Sequence, residues 1–225
     1  LDIDSLSFYN IETIGEYAFA NSNIKHIIFK NSNNHIHIGP GAFSHNTSLE
    51  SVTMSDGIET IPDYMFYECN NLTNVKLPSN LTTIGRRAFM KTNLNCIDFP
   101  ENVTLIQSSA FNSCHLKEVT LPPNTIELGD SAFHFNWLLD IKFNSKLKKI
   151  GSHALSFNGF QEITFPESID SIGSDNLHAC EALSSVTFPK NVKYIDGIRF
   201  CARCHNLKTM KFYTPTNIIS GNEYF

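Results

Sequence analysis

The stretch LTNVKLPSNLTTIGRRAF, residues 72–89, holds the pattern that determines the fold. Its first half reads Leu-x-x-Val-x-Leu-Pro, and its second half ends in Ile-Gly-x-x-Ala-Phe. The pattern recurs along the chain, and the apolar residue that closes each copy serves as a marker. Neighbouring markers are 22 to 24 residues apart, a period typical of a solenoid of stacked coils. The markers are Phe19, Phe43, Phe66, Phe89, Phe111, Phe133, Leu155, Leu177 and Phe200.

Each copy predicts one coil. Val75 and Leu77 point to one side of the chain and Lys76 to the other, as in a short strand. The proline that follows removes a hydrogen-bond donor and ends the strand. The next part crosses back on the opposite side, and Ala88-Phe89 begins a short helical or 3₁₀ turn. One coil alone cannot bury the Phe ring, so neighbouring coils must stack.

The sequence therefore predicts a repeat solenoid of the α/β leucine-rich type, rich in β-structure, with about nine coils of 22–24 residues. A parallel sheet is expected on the concave face, with short helical or 3₁₀ turns and strands on the other side. Residues 1–225 are interpreted as a single solenoid and as a fragment of a longer array. Within it, residues 1–10 form an incomplete N-terminal repeat, and residues 213–225 form a cap or a cut end.

A small polar residue stands three positions after most markers, and we name these positions the polar column. Cys, Asn, Ser and Thr share small size and hydrogen-bonding ability, so we expect them to satisfy backbone groups inside the coil. A redox or nucleophilic role would not tolerate Asn in the next copy, so the column is interpreted as structural. Its members are Ser22, Asn46, Cys69, Thr92, Cys114, Asn136, Asn158 and Cys180.

The unit Ile-Gly-x-x-Ala-Phe-x-x-Cys-x-x-Leu-x-x-Val-x-Leu-Pro, present with variations at residues 106–122 and 172–189, resembles the BspA-type leucine-rich repeat. The resemblance covers nearly the whole chain. It implies a curved solenoid from cell-surface proteins of host-associated bacteria and protozoan parasites, which attach to host proteins or cells. It brings no catalytic motif. Departures from the pattern, which we expect to loosen packing locally, are Leu155 and Leu177 for Phe and Arg199 for Ala.

Composition and motifs exclude several functions. The net charge of −5 argues against a nucleic-acid-binding face, which needs an excess of Lys and Arg. No apolar run approaches the ~18 residues of a membrane span. No signal peptide is visible either, which decides little because a secretion signal could lie upstream of a fragment. The chain has no H-E-x-x-H, G-x-S-x-G or P-loop motif. We therefore predict that the protein is not an enzyme and uses no cofactor.

Residues 201–205 read C-x-x-C-H, the motif of c-type haem attachment. Counted back from Leu207, however, Cys204 falls on the polar column, and a thin solenoid offers neither a haem pocket nor a distal ligand. A metal held by Cys201, Cys204 and His205 is an enzymatic alternative. Cys180 and Cys204 occupy stacked positions, so a disulfide between them is geometrically allowed.

Four Asn-x-Ser/Thr sequons occur, at Asn46, Asn71, Asn80 and Asn102. Asn46 belongs to the polar column, whereas a glycan needs a surface position. Asn80 and Asn102 fall at equivalent places after the strand, which favours a structural role in a turn. Asn71 is therefore the best glycan acceptor.

Apolar residues at four outward positions break the polar rule in two adjacent coils. Phe135 and Phe157 stand two residues after their markers, Trp137 replaces the usual Asn or Thr, and Leu139 replaces Lys, Glu or Thr. Exposed clusters of this kind mark interaction sites, for which Trp and Phe are preferred anchors. We name the four residues the apolar cluster and interpret them as a partner-binding site. The alternative is that locally deeper packing buries them.

A second candidate site lies on the outward strand position before the central Val or Ile. Glu118, Asp140 and Glu162 stack there in consecutive coils and repel one another unless a cation or a basic partner intervenes. We name these residues the acidic stripe. Lys117 and Lys142 could relieve the repulsion within the chain. Otherwise, the stripe engages a basic segment or a divalent ion.

These observations favour a non-catalytic protein-binding domain. The resemblance implies a cell-surface or secreted adhesin that contacts a host extracellular-matrix or cell-surface protein. An intracellular scaffold or recognition repeat and a passive spacer of a larger surface protein are the alternatives, because a fold does not fix a function. No nucleic-acid partner and no membrane span are expected, and the sequence predicts no oligomeric state.

Overall fold

The protein is a parallel solenoid of about nine coils. The structure is a computed structural model that describes residues 2–30, 35–213 and 218–219. No helix occurs among these residues, and each regular coil contributes two short strands on opposite sides. The predicted fold class is confirmed. Most of the predicted cap or cut end at 213–225 lies outside the described residues.

The strands form two series. The front strands, from the Leu-x-x-Val-x-Leu segments, are β1 Asp2–Tyr9, β3 Asn23–Lys30, β5 Ser51–Thr53, β7 Asn74–Lys76, β10 Glu118–Thr120, β12 Asp140–Lys142, β14 Glu162–Thr164, β16 Ser185–Thr187 and β18 Thr209–Lys211. The back strands, from the segments that precede the markers, are β2 Thr13–Ile14, β4 His37–Ile38, β6 Thr60–Ile61, β8 Thr83–Ile84, β9 Leu105–Ile106, β11 Glu127–Leu128, β13 Lys149–Ile150, β15 Ser171–Ile172, β17 Tyr194–Asp196 and β19 Ile218–Ile219.

All strand pairs are parallel and align equivalent residues of successive coils, such as Ile84 with Ile106. The back strands β6 to β19 form one eight-stranded sheet, whereas the front strands divide into the sheets β1-β3-β5-β7, β10-β12 and β14-β16-β18. The front sheet is therefore less continuous than the sequence predicts. At the first break, residues 95–98 read Asn-Cys-Ile-Asp and form no strand, in keeping with the low strand propensity of Asn and Asp.

The segment around each marker is a series of hydrogen-bonded turns, where the sequence suggested a helical or 3₁₀ turn. The reason is that residues with a left-handed backbone conformation recur there, such as Tyr64 (φ 59°) and Glu68 (φ 58°) around Phe66. A right-handed helix requires negative φ throughout. The N–H groups of these two residues donate instead to the next coil, to the carbonyls of Arg86 and Met90 at 2.8 and 2.9 Å. The turns therefore add a third set of hydrogen bonds between coils.

The core is a stack of marker rings. Phe43, Phe66, Phe89, Phe111 and Phe133 are fully buried, and neighbouring rings are stacked with centroids 5.1–6.0 Å apart. The prediction that stacked coils bury the marker rings is confirmed.

The ninth marker is Cys201, and the prediction of Phe200 was wrong by one residue. The N–H of Leu177 donates to the carbonyl of Phe200 at 2.9 Å, just as that of Phe89 donates to Ala110, the residue before the next marker. Phe200 therefore fills the usual Ala position, and Arg199 takes the left-handed position (φ 46°). The cause is one additional residue before the marker: Ile195 pairs with Ile172 in the register, and it stands six residues before Cys201, whereas Ile172 stands five before Leu177.

The polar column is structural, as predicted. Most of its side chains donate to the marker carbonyl one coil earlier, as Asn136 does to Phe111 at 2.8 Å and Cys114 to Phe89 at 2.9 Å. Burial raises the pKa of the Cys114 thiol to about 12, which removes its thiolate character near neutral pH. Equivalent bonds to a marker carbonyl are made by Asn46, Cys69, Asn158, Cys180 and Cys204.

The sequon predictions agree with this arrangement. Asn46 is fully buried, whereas Asn71 is exposed. Asn80 and Asn102 lie in turns, where their side-chain amides donate to the backbone carbonyls of Asp56 and Ser79 in the preceding coil, at 3.2 and 3.3 Å. The structural role of these two residues is confirmed, and glycosylation of Asn71 stays a prediction.

Candidate protein-binding surface

The apolar cluster lies at the edge of the solenoid where the turns meet solvent. Phe135 and Phe157 occupy left-handed positions with φ values of 55° and 57°, and their rings are 5.6 Å apart. The exposed fractions of Phe135, Trp137 and Leu139 are 55, 56 and 62%. The predicted exposure of these three residues is confirmed. Phe157 is half-buried, so the alternative of deeper packing holds in part for this residue.

Trp137 has one covered face. Its ring lies 4.6 Å from that of His115, the residue at the equivalent place in the preceding coil. In the next two coils, Gly159 and Ala182 directly precede the Phe or Leu that begins the Leu-x-x-Val-x-Leu segment. Because neither residue has a side chain long enough to cover an indole, the second side of Trp137 is open to a ligand.

A groove of about 400 Å³ runs beside Trp137, and we name it the turn-edge groove. The apolar cluster forms its walls. Small residues contribute much of the rest of its surface, and the sequence interpretation did not assign them to the site. The sequence did contain the information needed to assign Gly159 and Ala182 to the site, because these residues stand at a position where the other copies carry Asn, Ser, His or Trp. The lining residues are Phe135, Asn136, Trp137, Leu139, Phe157, Asn158, Gly159, Ala179, Glu181 and Ala182.

Gly159 allows close packing within the groove. A Cβ atom at this position would lie 3.1 Å from Cδ2 of Leu139. The N–H of Gly159 donates to the carbonyl of Leu138 at 2.9 Å. The missing side chain therefore lets Leu139 lie across the next coil without displacing that backbone.

Imidazole rings contact the inner wall of the groove. Phe157 lies 5.2 Å from His134, edge to face, and 5.3 Å from His178, stacked. Beside them, the carboxylate of Asp175 is almost fully buried, with Arg199 Nε at 3.0 Å and His178 Nδ1 at 3.6 Å. These contacts explain why Phe157 is more buried than Phe135.

Burial lowers the pKa of both His134 and His178, because it penalises the charged imidazolium. The unfolded chain therefore binds these protons more readily than the folded chain. The two neutral histidines therefore contribute to the stability of the folded state. We expect this contribution to be fully present above the ordinary histidine pKa of about 6.5 and to be lost as the pH falls through the lowered pKa values of His134 and His178. Urea unfolding at about pH 7.5 and about pH 5.5 measures this loss. A His134→Gln/His178→Gln variant should show a smaller pH dependence, and an unchanged dependence would contradict the assignment.

Trp137→Ala is expected to leave the fold nearly as stable as before. The side chain is 56% exposed, and the contact that it loses is the tilted stacking with His115. We expect the free energy of unfolding to fall by less than about 1 kcal/mol. Urea unfolding followed by circular dichroism measures this change, because the variant has no tryptophan fluorescence. A loss of several kcal/mol, typical of a truncated buried aromatic residue, would contradict the exposed position.

The acidic stripe is exposed. Glu118 and Asp140 are directly paired in the β10–β12 register, whereas Glu162 lies on β14, beyond the second break in the front sheet. No ion pair within 4.0 Å joins these carboxylates to Lys117 or Lys142, all of which belong to the described part of the chain. The structure therefore shows no direct salt bridge between the stripe and these lysines, and relief of the repulsion by them over a longer distance stays a prediction.

Across residues 2–30 and 35–213, no group of three or more His, Cys, Asp and Glu side chains is placed to hold a metal ion. The alternative of a metal at Cys201, Cys204 and His205 is therefore not supported by the positions of its ligands. Cys180 and Cys204 are free thiols, so the structure does not contain the disulfide between them.

A larger groove, of about 750 Å³, lies on the front face at the first break and was missed from the sequence. Lys76, Asp56 and Asp98 are among its lining residues. Asp56 already accepts hydrogen bonds from the N–H and hydroxyl of Ser79 at 2.7 and 2.8 Å. Because the groove combines charges of both signs, it favours no single class of ligand.

Stacked parallel coils with Leu-x-x-Val-x-Leu front strands define a leucine-rich repeat solenoid. The family model of the BspA type leucine rich repeat region matches the chain in 6 copies, over residues 2–117 and 104–225. The chain therefore belongs to this family, and the resemblance identified from the sequence is confirmed.

Solved structures with the same fold come from several bacteria. A leucine-rich repeat protein from Bacteroides ovatus is 22% identical with a TM-score of 0.62, over 93% of this chain and 69% of that protein. The pneumococcal vaccine antigen PcpA is 20% identical with a TM-score of 0.51, over 93% of this chain and 62% of PcpA. A comparison with curated protein sequences found no match. In the described part of the chain, no helix has the length and apolar character needed to cross a bilayer.

Proposed function

We propose that this solenoid is a non-catalytic protein-binding domain of a cell-surface adhesin and that the turn-edge groove is its main contact site. The observation that carries the proposal is the set of exposed apolar side chains, Phe135, Trp137 and Leu139, placed around small residues. Exposed aromatic anchors beside a concave surface supply most of the binding energy in many protein interfaces. The surface location rests on family membership.

The chemistry of the groove indicates its partner. The apolar walls accept an aliphatic or aromatic side chain. Glu181 lines the same groove, and Asp140 directly follows Leu139 at the start of β12. We therefore propose a host extracellular-matrix or cell-surface protein that presents an apolar side chain next to Lys or Arg.

The acidic stripe contributes to the same interface in this proposal. Its carboxylates are exposed and lack internal ion pairs, so a basic partner segment would relieve their mutual repulsion. Exposed charges mainly accelerate association and make it dependent on salt. A Glu118→Gln/Asp140→Asn/Glu162→Gln variant should therefore bind more slowly and with a weaker salt dependence, while dissociation changes little.

The test is binding of the purified protein to a panel of immobilised extracellular-matrix and plasma proteins. A Trp137→Ala/Phe157→Ala variant is measured alongside, and Ile126→Ala is the matched control because Ile126 is 50% exposed and does not line the groove. Saturable binding that only the double variant loses supports the proposal. Equal binding by all three proteins would discard the groove as the site, and binding to no panel member would favour the spacer or the intracellular scaffold.

A further inference from the structure

The last coil of the described chain brings two cysteines together at the ends of one turn. Cys201 holds the apolar marker position, and Cys204 holds the polar column. The N–H of Cys204 donates to the carbonyl of Cys201 at 3.1 Å. A four-residue turn keeps its terminal Cα atoms within about 7 Å, and disulfides span Cα distances of about 4.4–6.8 Å. The backbone therefore brings this pair into the range in which a disulfide forms.

The two thiols differ in burial and in pKa. Cys201 is buried, with 4% of its surface exposed, whereas Cys204 is half-buried. A hydrogen bond from the Cys201 thiol lowers the pKa of Cys204, and the same contact, together with burial, raises that of Cys201. An accessible thiol with a lowered pKa beside a buried one is the arrangement of an attacking and a resolving cysteine.

We propose that Cys201 and Cys204 form a redox-active dithiol that a low-molecular-weight disulfide, such as glutathione disulfide, converts to an intramolecular disulfide. The Cys204 thiolate attacks one sulfur of the small disulfide, forming a mixed disulfide and releasing one thiolate, which takes up a proton. Cys201 then loses its proton and attacks Cys204 Sγ, which releases the second small thiolate. Two protein thiols are oxidised to one disulfide, and the small disulfide is reduced to two thiols.

Cys180 is the competing partner, because it occupies the polar column one coil earlier. It is fully buried, and burial raises the pKa of its thiol to about 12. Its Sγ lies 3.6 Å from the carbonyl of Leu155, whereas Cys204 donates to Leu177 at 3.0 Å. The thiols of Cys180 and Cys204 thus face different carbonyl acceptors, whereas Cys201 and Cys204 lie at the two ends of one hydrogen-bonded turn.

The bond would close the ninth coil, where the one-residue insertion replaces the marker ring by the smaller Cys201. An oxidising exterior would maintain this disulfide, and a reducing cytosol would keep it open. The inference is independent of the turn-edge groove, because no groove residue takes part. Its failure would leave the proposed binding function untouched.

The experiment uses the full chain with Cys96→Ser, because Cys96 is an exposed thiol that would react by itself. The protein is incubated with glutathione disulfide, its remaining thiols are alkylated, and it is digested with trypsin. Cleavage after Arg203 places Cys201 and Cys204 on separate peptides. We expect these two peptides to be joined, the intact protein to lose two hydrogens in mass, and dithiothreitol to reverse both changes.

Two variants identify the roles of the cysteines. Cys201→Ala should retain one glutathionyl group on Cys204, because no resolving thiol remains. Cys204→Ser, which places a residue type already present in the polar column, should leave Cys201 unmodified. A link between Cys180 and Cys204 would overturn the proposal, as would full alkylation of all cysteines after incubation with glutathione disulfide.

Discussion

Phe111→Ala is expected to lower the free energy of unfolding by about 3–5 kcal/mol, the usual cost of truncating a fully buried Phe. Phe111 lies 5.1 Å from Phe89 and 5.5 Å from Phe133 in the marker stack, and Phe99 packs edge-on against it at 5.4 Å. The cavity would open in the middle of the solenoid, where each coil is held only by its two neighbours. Equilibrium unfolding in urea measures the loss.

Phe111→Leu is the matched control for this prediction. Leu155 and Leu177 occupy the equivalent position in later coils and are fully buried there, so a leucine fits the coil. We expect a smaller cost of about 1–2 kcal/mol, because most of the volume is kept. Equal losses in the two variants, or a loss below about 1 kcal/mol for the alanine variant, would contradict the ring stack as the main source of stability.

Asn136→Ala is expected to destabilise the protein by about 2–4 kcal/mol, because an unsatisfied buried polar group costs about 1–3 kcal/mol. The side-chain amide of Asn136 donates to the carbonyls of Phe111 and Phe133 at 2.8 and 3.1 Å. Its oxygen accepts from the N–H groups of Cys114 and Leu116 at 3.2 and 2.9 Å. Alanine leaves all four backbone groups without this partner.

The Asn136→Cys variant tests whether the loss of stability comes from the missing hydrogen bonds or from the missing side-chain volume. Cys69 and Cys114 hold the same column with thiols that donate to the marker carbonyl one coil earlier, at 3.2 and 2.9 Å. A cysteine at position 136 should therefore recover part of the loss seen with alanine. Thermal and urea unfolding of both variants check this order of stability, and an alanine variant as stable as the unaltered protein would contradict the structural role of the column.

The repeat pattern was sufficient to predict the solenoid because each periodic residue has one structural task. The marker spacing predicted the ring stack, and the mixture of Cys, Asn and Thr in one column predicted its hydrogen-bonding role. Residues such as Tyr64 and Glu68 concealed the left-handed turns, since neither side chain is typical of positive φ. The insertion before Cys201 was missed because Phe200, one residue earlier, has the expected type.

The candidate site could be predicted only in part. Trp137 and Leu139 stood out because they replace polar residues in a regular column. Gly159 and Ala182 carried an equally specific signal, but the absence of a side chain becomes meaningful only when the neighbouring coil is known to carry an indole. The degree of burial of Phe157 depends on His134 and His178, which lie one coil before and one coil after it, and intracoil spacing does not reveal those contacts.

The most direct test of the turn-edge groove uses Trp137, which is the only tryptophan of the chain. Incorporation of 5-fluorotryptophan gives a single fluorine resonance, and each panel protein is added without fluorine. We predict that a protein that binds in the panel shifts or broadens this resonance in a saturable manner and that a protein that does not bind leaves it unchanged. Saturable binding with an unaltered resonance would place the interface elsewhere and contradict the account.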